Sequence, residues 1–383
     1  MNTAQLQAVL DTAVAEDDVP FAVGMTGNAA GTTWSGAAGQ AAPGRAAGED
    51  TVFRIFSMTK AVGSLAAMIL IDRGRLQFDS AVSDILPAFA DIKVLDHFEG
   101  DTPILRAPET TATVRHLATH TSGFVYEFWN HDLPRYMELT GHPTILSGLK
   151  SSLMYPLAFD PGSKWDYGIG IDWLGQVVEA VDGRTIDVFC REEIFEPLGM
   201  SSTAFEPEGP LADRLAAVKI RNEAGAFEDF ALAPPPHPEF YGMGHALYST
   251  APDYLRFLRM FLNGGELDGA RILSEDGAAS MLENHIGVLR IGKMVSTAPA
   301  ITADVDFYPD IDKTHSFGFM RVEADIPGRR HKGSQTWAGV CNTHYWFDPA
   351  SDVAGLIMTQ SLPFIEPRFL KTYDAFEAAV YAG

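Results

Sequence analysis

The distribution of strand-like runs constrains the fold of this chain most. Beyond about residue 315, four short aromatic or β-branched runs follow one another: Phe317 to Val322, Ser334 to Cys341, His344 to Phe347 and Val353 to Thr359. Gly, Pro and Asp separate them, so they read as strands joined by turns. A second strand signal sits at the opposite end. Phe21 to Gly39 alternates small and apolar residues with turn formers, which suggests a hairpin turning near Gly27-Asn28. From about 76 to 284 helical patterns alternate with long loops, with helices expected near 113–119, 170–181, 185–195 and 251–263. Residues 57–72 predict a strongly apolar helix, with Met58, Val62, Leu65 and Ile69 on one stripe and Gly74 as its stop. Met1 to Asp18, with Leu6, Val9, Leu10 and Ala13 aligned, and Arg368 to Tyr381 read as terminal helices. The predicted fold is α/β (α+β): an antiparallel sheet built from both chain termini, flanked by helices, with a large mainly helical inserted region. Residues 1–75 and 285–383 are expected to form the sheet domain, and 76–284 the helical one.

Composition excludes several function classes. With 28 basic and 50 acidic side chains the formal net charge is −22. Such a field repels nucleic acid and anionic lipid head groups, so neither is an expected partner. The longest apolar stretch, Ala61 to Ile71, is broken by Gly63 and Ser64 and falls short of the ~20 residues a membrane span needs. Met1 to Asp18 lacks the basic and apolar regions of a secretory leader, so a cytoplasmic location is expected. Cys190 and Cys341, the only two cysteines, read as buried reduced thiols.

The chain carries no Gly-x-Ser-x-Gly elbow, no His-Glu-x-x-His helix and no P-loop. Gly242-Met243-Gly244 reads as a turn. What remains is Ser-x-x-Lys. On a helix, residues three apart share a face, so a desolvated lysine can reach the serine and take its proton. Two copies occur, Ser57-Met58-Thr59-Lys60 and Ser147-Gly148-Leu149-Lys150. Chance alone gives roughly 0.5 copies for this composition, so context must separate them. Ser57 follows an apolar run, Val52 to Phe56, and opens an apolar helix; Ser147 lies in a Gly- and Ser-rich stretch. A plain N-cap serine followed by a surface lysine is the competing reading of Ser57.

Thr51 to Lys60, TVFRIFSMTK, resembles the nucleophile motif of the serine β-lactamase-like hydrolases. That group includes class C β-lactamases, D-alanyl-D-alanine peptidases and family VIII carboxylesterases. VRHLATHTSGF (114–124), FDPGSKWDYGIGIDWLG (159–175), IFEPLGM (194–200), GSQTWAGVCNTHYWFDP (333–349) and MTQSLPF (358–364) are similar to further blocks of the group, in family order. Tyr248 to Leu262 and the run from Gly264 to Gly269 also fit.

The resemblance implies a β-lactamase/transpeptidase-like fold with the active site between the two domains. It implies Ser57 as the acylated nucleophile, Lys60 as its helical partner and Tyr167 as general base and acid. Trp337-Ala338-Gly339 matches the esterase Trp-Gly-Gly strand motif and would border the substrate, Gly339 by allowing close approach. His331-Lys332-Gly333 is the competing alignment. The oxyanion hole would be the backbone N–H groups of Ser57 and Val340.

Two departures from the β-lactamase pattern stand out. The Tyr167 triplet ends in Ile169 rather than Asn, and the strand motif lacks lysine. Both remove partners for an anionic lactam. Phe124 and Tyr126, with Phe128 and Trp129, are candidates for a hydrophobic pocket wall or for ordinary core. His120 reads as structural, His315 and His344 as candidate pocket residues, and no catalytic histidine is expected. The implied activity is a carboxylesterase for neutral, small-molecule esters, needing no metal or cofactor. A β-lactamase, a D-Ala-D-Ala peptidase or an acyltransferase would use the same machinery.

Overall fold

The computed structural model describes residues 3–382. β1 (Phe21–Gly27) and β2 (Thr32–Ala42) form the hairpin expected from the N-terminal pattern, and the short β3 (Arg45–Ala46) extends it. The C-terminal strands are β4 (Lys313–His315), β5 (Met320–Val322), β6 (Gln335–Gly339), β7 (Thr343–Asp348) and β8 (Val353–Met358). They join the hairpin in one antiparallel sheet of eight strands, ordered β4-β5-β6-β7-β8-β1-β2-β3. The two chain ends meet where β1 pairs β8, from Val23 opposite Met358 to Gly27 opposite Ala354.

The sheet is covered on both faces, and its residues sort by the two-residue strand period. Ala22, Trp346 and Ile357 face the terminal helices α1 (Thr3–Ala15) and α5 (Pro367–Tyr381), packing with Leu6, Leu10 and Phe376. Their neighbours Val23, Tyr345, Phe347, Leu356 and Met358 point the other way, into the main core with α2 (Thr59–Asp72) and α4 (Ala251–Leu262). Double coverage explains why the C-terminal strands read as near-continuous apolar runs. The α5 layer is pinned by a fully buried ion pair, Arg330 Nε to Glu377 Oε1 at 2.6 Å. Tyr308 donates to the same carboxylate at 2.6 Å.

Every residue of α2 from Thr59 to Leu70 is buried. A helix apolar on all sides is one enclosed by protein. Here α3 (Gly170–Asp182) packs against it, as does the short helix Glu275–Met281. A lysine in its first turn is therefore carried inside. The helix starts at Thr59, two residues later than its apolar pattern suggests. Ser57 lies in the preceding 3₁₀ turn, Phe56–Met58.

The middle of the chain is less purely helical than predicted. Val94–Glu99 and Thr102–Arg106 form a hairpin turning at Gly100. Lys219–Arg221 pairs with Phe227–Asp229 and, in parallel, with the C-terminal Ser361–Leu362. The expected helices occur at Val114–Ala118, Gly170–Asp182, Ile186–Leu198 (with a π-turn at Arg191–Phe195) and Ala251–Leu262. Both cysteines are buried and unpaired. Among the described residues no helix is long and apolar enough to cross a membrane.

Candidate active site

Ser57 is presented by a strained turn. Phe56, just before it, has φ +41°, a left-handed conformation that a bulky side chain adopts at a cost of about 1–3 kcal/mol. The end of β6 holds this turn in place. A Cβ at Gly339 would lie 2.3 Å from the Ile55 carbonyl oxygen and 2.4 Å from Thr343 Oγ1. The glycine therefore admits the backbone before Ser57. Ser57 and Val340 are thereby brought to the wall of one cavity.

Lys60, at the buried start of α2, has three oxygen partners. Its Nζ lies 3.1 Å from Ser57 Oγ, 2.9 Å from Tyr126 Oη and 2.8 Å from the Gly244 carbonyl oxygen. It also sits 4.8 Å from the centroid of the Tyr167 ring and 5.0 Å from that of Tyr126. Burial pulls its pKa down to about 7, against the opposing pull of the Asp172 carboxylate. The amine is thus half neutral near pH 7. Its two N–H groups then satisfy Tyr126 and Gly244, and its lone pair faces the serine hydroxyl.

Tyr167 behaves oppositely. Its hydroxyl accepts a hydrogen bond from Trp337 Nε1 at 3.1 Å. Burial pushes the phenol well above its ordinary value; hydrogen bonding with Ser57 and Trp337 pulls it partly back, and Asp172 pushes it up again. The phenol therefore keeps its proton at neutral pH.

An apolar cavity of about 130 Å³ opens onto Ser57 and Tyr167, walled by Tyr126, Phe128, Trp129, Ile145 and Val340 among others. A narrow cleft of about 20 Å³ continues past Ser57 to Trp337 and Ala338. A larger cavity of about 370 Å³ adjoins the first at Leu146 and His245.

Several sequence expectations need correction. Phe124 is not in the cavity wall; it is core, packed edge-on against Phe89 and Tyr155 and stacked on Trp173. Tyr126 does reach the wall, and it also binds the lysine. His315 and His344 do not line these cavities. His315 lies 5.2 Å from the His120 ring, and His344 is enclosed by Phe364, Phe369 and Tyr373. Burial lowers the pKa of each to about 3. His120 is structural, with Nδ1 accepting from the Gly168 amide at 3.4 Å. Ser147 and Lys150 fall in separate 3₁₀ turns divided by Gly148 at φ +70°, and Lys150 is exposed.

Three groups escaped the sequence reading: the Gly244 carbonyl, the fully buried Asp172 in the first turn of α3, and His245. Gly242-Met243-Gly244 does form a turn, and that turn sets the Gly244 carbonyl and His245 beside Asp172. A carboxylate five residues after Tyr167, opening a helix, together with a Gly-x-Gly-His run, was the available signal.

Comparison with known proteins agrees with this architecture. The beta-lactamase family profile matches residues 7–380. ML-236A carboxylate methylbutanoyltransferase of Penicillium citrinum is 28% identical, over 87% of this chain and 81% of its own length. Lovastatin esterase of Penicillium rubens is 27% identical, over 82% of this chain and 80% of its own. Unliganded simvastatin synthase (LovD) from Aspergillus terreus superposes with a TM-score of 0.83 at 26% identity, covering 99% of this chain and 98% of that one. With its sheet, its buried Ser-x-x-Lys helix and a family match over nearly its whole length, the chain belongs to the beta-lactamase family.

Proposed function

We propose that the protein is a serine carboxylesterase that cleaves neutral carboxylic esters through an acyl-Ser57 intermediate. The observation that carries this reading is Lys60, buried, with a pKa of about 7 and 3.1 Å from Ser57 Oγ. A base near the working pH combines the right protonation state with driving force for proton transfer. In this reading neutral Lys60 takes the Ser57 proton as Oγ attacks the ester carbonyl. The backbone N–H groups of Ser57 and Val340 receive the oxyanion, each worth on the order of 3 kcal/mol by analogy with other such donors. Tyr167 gives its proton to the leaving alcohol and is reprotonated from Lys60. Water then repeats the sequence on the acyl-enzyme.

Substrate class follows from the surroundings. The cavity at Ser57 is nearly all apolar, and among the described residues Lys60 is the only cation at the serine. Ile169 is buried where a β-lactamase asparagine would contact substrate, and Trp337-Ala338-Gly339 offers no lysine. These features favour a neutral ester over an anionic β-lactam or a D-Ala-D-Ala peptide. The two-domain reading belongs to the same proposal. Ser57, Lys60 and Trp337 come from residues 1–75 and 285–383, and Tyr126, Tyr167 and Gly244 from 76–284.

A second reading is acyl transfer, in which an alcohol replaces water. The name of the Penicillium citrinum relative and the second, larger cavity beside the site favour it. Turnover of short p-nitrophenyl esters, a chromogenic cephalosporin and an ester-plus-alcohol mixture tests these readings together. The esterase reading expects kcat/KM for the esters to exceed that for the cephalosporin by orders of magnitude. Preference for the cephalosporin contradicts it.

A further inference from the structure

The geometry points to His245 as the residue that receives the alcohol of the reaction, deciding which alcohol can leave or replace water. This rests on Ser57 being acylated and adds a specificity-determining residue to that chemistry.

The argument starts from a buried acid. Asp172 is fully buried; its Oδ1 accepts from the Gly244 amide at 2.9 Å, and its Oδ2 has no partner. His245 Nδ1 lies 3.5 Å from Oδ1, too long for a good hydrogen bond but well within electrostatic reach. The turn is shaped around this pair. A Cβ at Gly242 would sit 2.3 Å from His245 Cε1 and 2.6 Å from Asp172 Oδ1, and one at Gly244 would sit 2.5 Å from Asp172 Oδ2. Two positions without side chains are what let a carboxylate and an imidazole share this corner. In the Nδ1–H tautomer, the one the facing carboxylate favours, the Nε2 lone pair is an acceptor. His245 Nδ1 is itself buried with no hydrogen-bond partner, and among the described residues none bonds Nε2.

Position gives that acceptor a use. The cavity of about 370 Å³ and the apolar cavity at Ser57 share only Leu146 and His245 in their walls. The imidazole and Leu146 thus stand at the boundary between the two cavities. The larger cavity presents Phe205 and Phe240 together with Glu206, Glu208, Arg54 and His237, a mixed apolar and polar wall that suits a hydroxyl compound. An alcohol there donates its hydroxyl to Nε2 as it enters and is thereby brought into the cavity that Ser57 also lines. The hydroxyl then turns from Nε2 to neutral Lys60, which takes its proton as the alcohol oxygen attacks the acyl carbon; the ester bond to Ser57 Oγ breaks, Tyr167 gives a proton to Oγ, and Lys60 returns one to Tyr167. No proton changes owner at His245.

The test separates acylation from deacylation. Enzyme is mixed with p-nitrophenyl acetate, with 1-butanol or cyclohexanol as acceptor. The p-nitrophenol burst reads acylation, and the ratio of acetate ester to acetate reads partition. Losing one neutral hydrogen bond of about 1 kcal/mol predicts that His245→Ala lowers the transfer-to-hydrolysis ratio roughly fivefold. The acceptor KM rises in parallel while a burst persists. His245→Gln, which keeps an acceptor oxygen, recovers most of the ratio; His245→Phe, which fills the space without one, does not. An unchanged ratio in His245→Ala, a burst lost in proportion to transfer, or no recovery in His245→Gln overturns the assignment. Hydrolysis and transfer that both survive in Ser57→Ala overturn the acyl-Ser57 reading itself, and this one with it.

Discussion

The pH dependence of acylation should follow Lys60. Burial lowers its pKa from 10.5 to about 7. On that basis about 9% of the amine is neutral at pH 6 and about 91% at pH 8, whereas an ordinary lysine would be only about 0.03% neutral at pH 7. If neutral Lys60 takes the serine proton, the acylation rate rises about tenfold between pH 6 and 8 and then levels. Single-turnover mixing with p-nitrophenyl acetate, read at the isosbestic wavelength of p-nitrophenol, isolates this step. Asp172 supplies a second arm, because its carboxylate raises the Lys60 pKa. Asp172→Asn should therefore move the midpoint below that of the unsubstituted protein. Stability carries the same signature. The folded protein binds fewer protons than the unfolded chain between pH 7 and 10.5, so stability rises with pH across that window, by ~5 kcal/mol at most, and is lost as pH falls through 7. A rate that climbs without a plateau to pH 10, or a midpoint that rises in Asp172→Asn, would rule out Lys60 as the base.

Three further outcomes are expected. Gly339→Ala places a Cβ 2.3 Å from the Ile55 carbonyl, so it should destabilise by about 1–3 kcal/mol in denaturant unfolding and displace Ser57, with loss of ester turnover. Tyr167→Phe removes the acid and leaves Trp337 Nε1 without its partner; kcat/KM should fall about 10²–10⁴-fold with circular dichroism unchanged. Glu377→Ala strands the buried Arg330 guanidinium and should cost about 3–5 kcal/mol, lowering Tm without altering the pH midpoint of acylation.

What the sequence revealed depended on how local each signal was. The helix of Met58, Val62, Leu65 and Ile69 and the run Val353 to Met358 carry their periodicity within a few residues, so both were legible. The hairpin Val94–Arg106 has a turn glycine, but its flanks mix Asp, His and Glu with apolar residues, which hid the strands. β4 is three residues long and includes a lysine, so only its pairing with β5 defines it. At the site, Ser57, Lys60 and Tyr167 stood out through their motifs. Phe124 did not separate from its aromatic neighbours, because which of several clustered rings faces a cavity is set by packing against Trp173 and Tyr155. Asp172 and His245 were missed for a related reason. They lie 73 positions apart in the chain and meet only through the fold of two elements.

Every step proposed for the site depends on Ser57 forming the acyl-enzyme. Intact-mass and peptide-mapping spectrometry after brief exposure to p-nitrophenyl butyrate reads that event itself. The expected result is one added butyryl group, mapped to the peptide containing Ser57 and absent in Ser57→Ala. An adduct on Ser147, or one that survives in Ser57→Ala, would contradict the assignment.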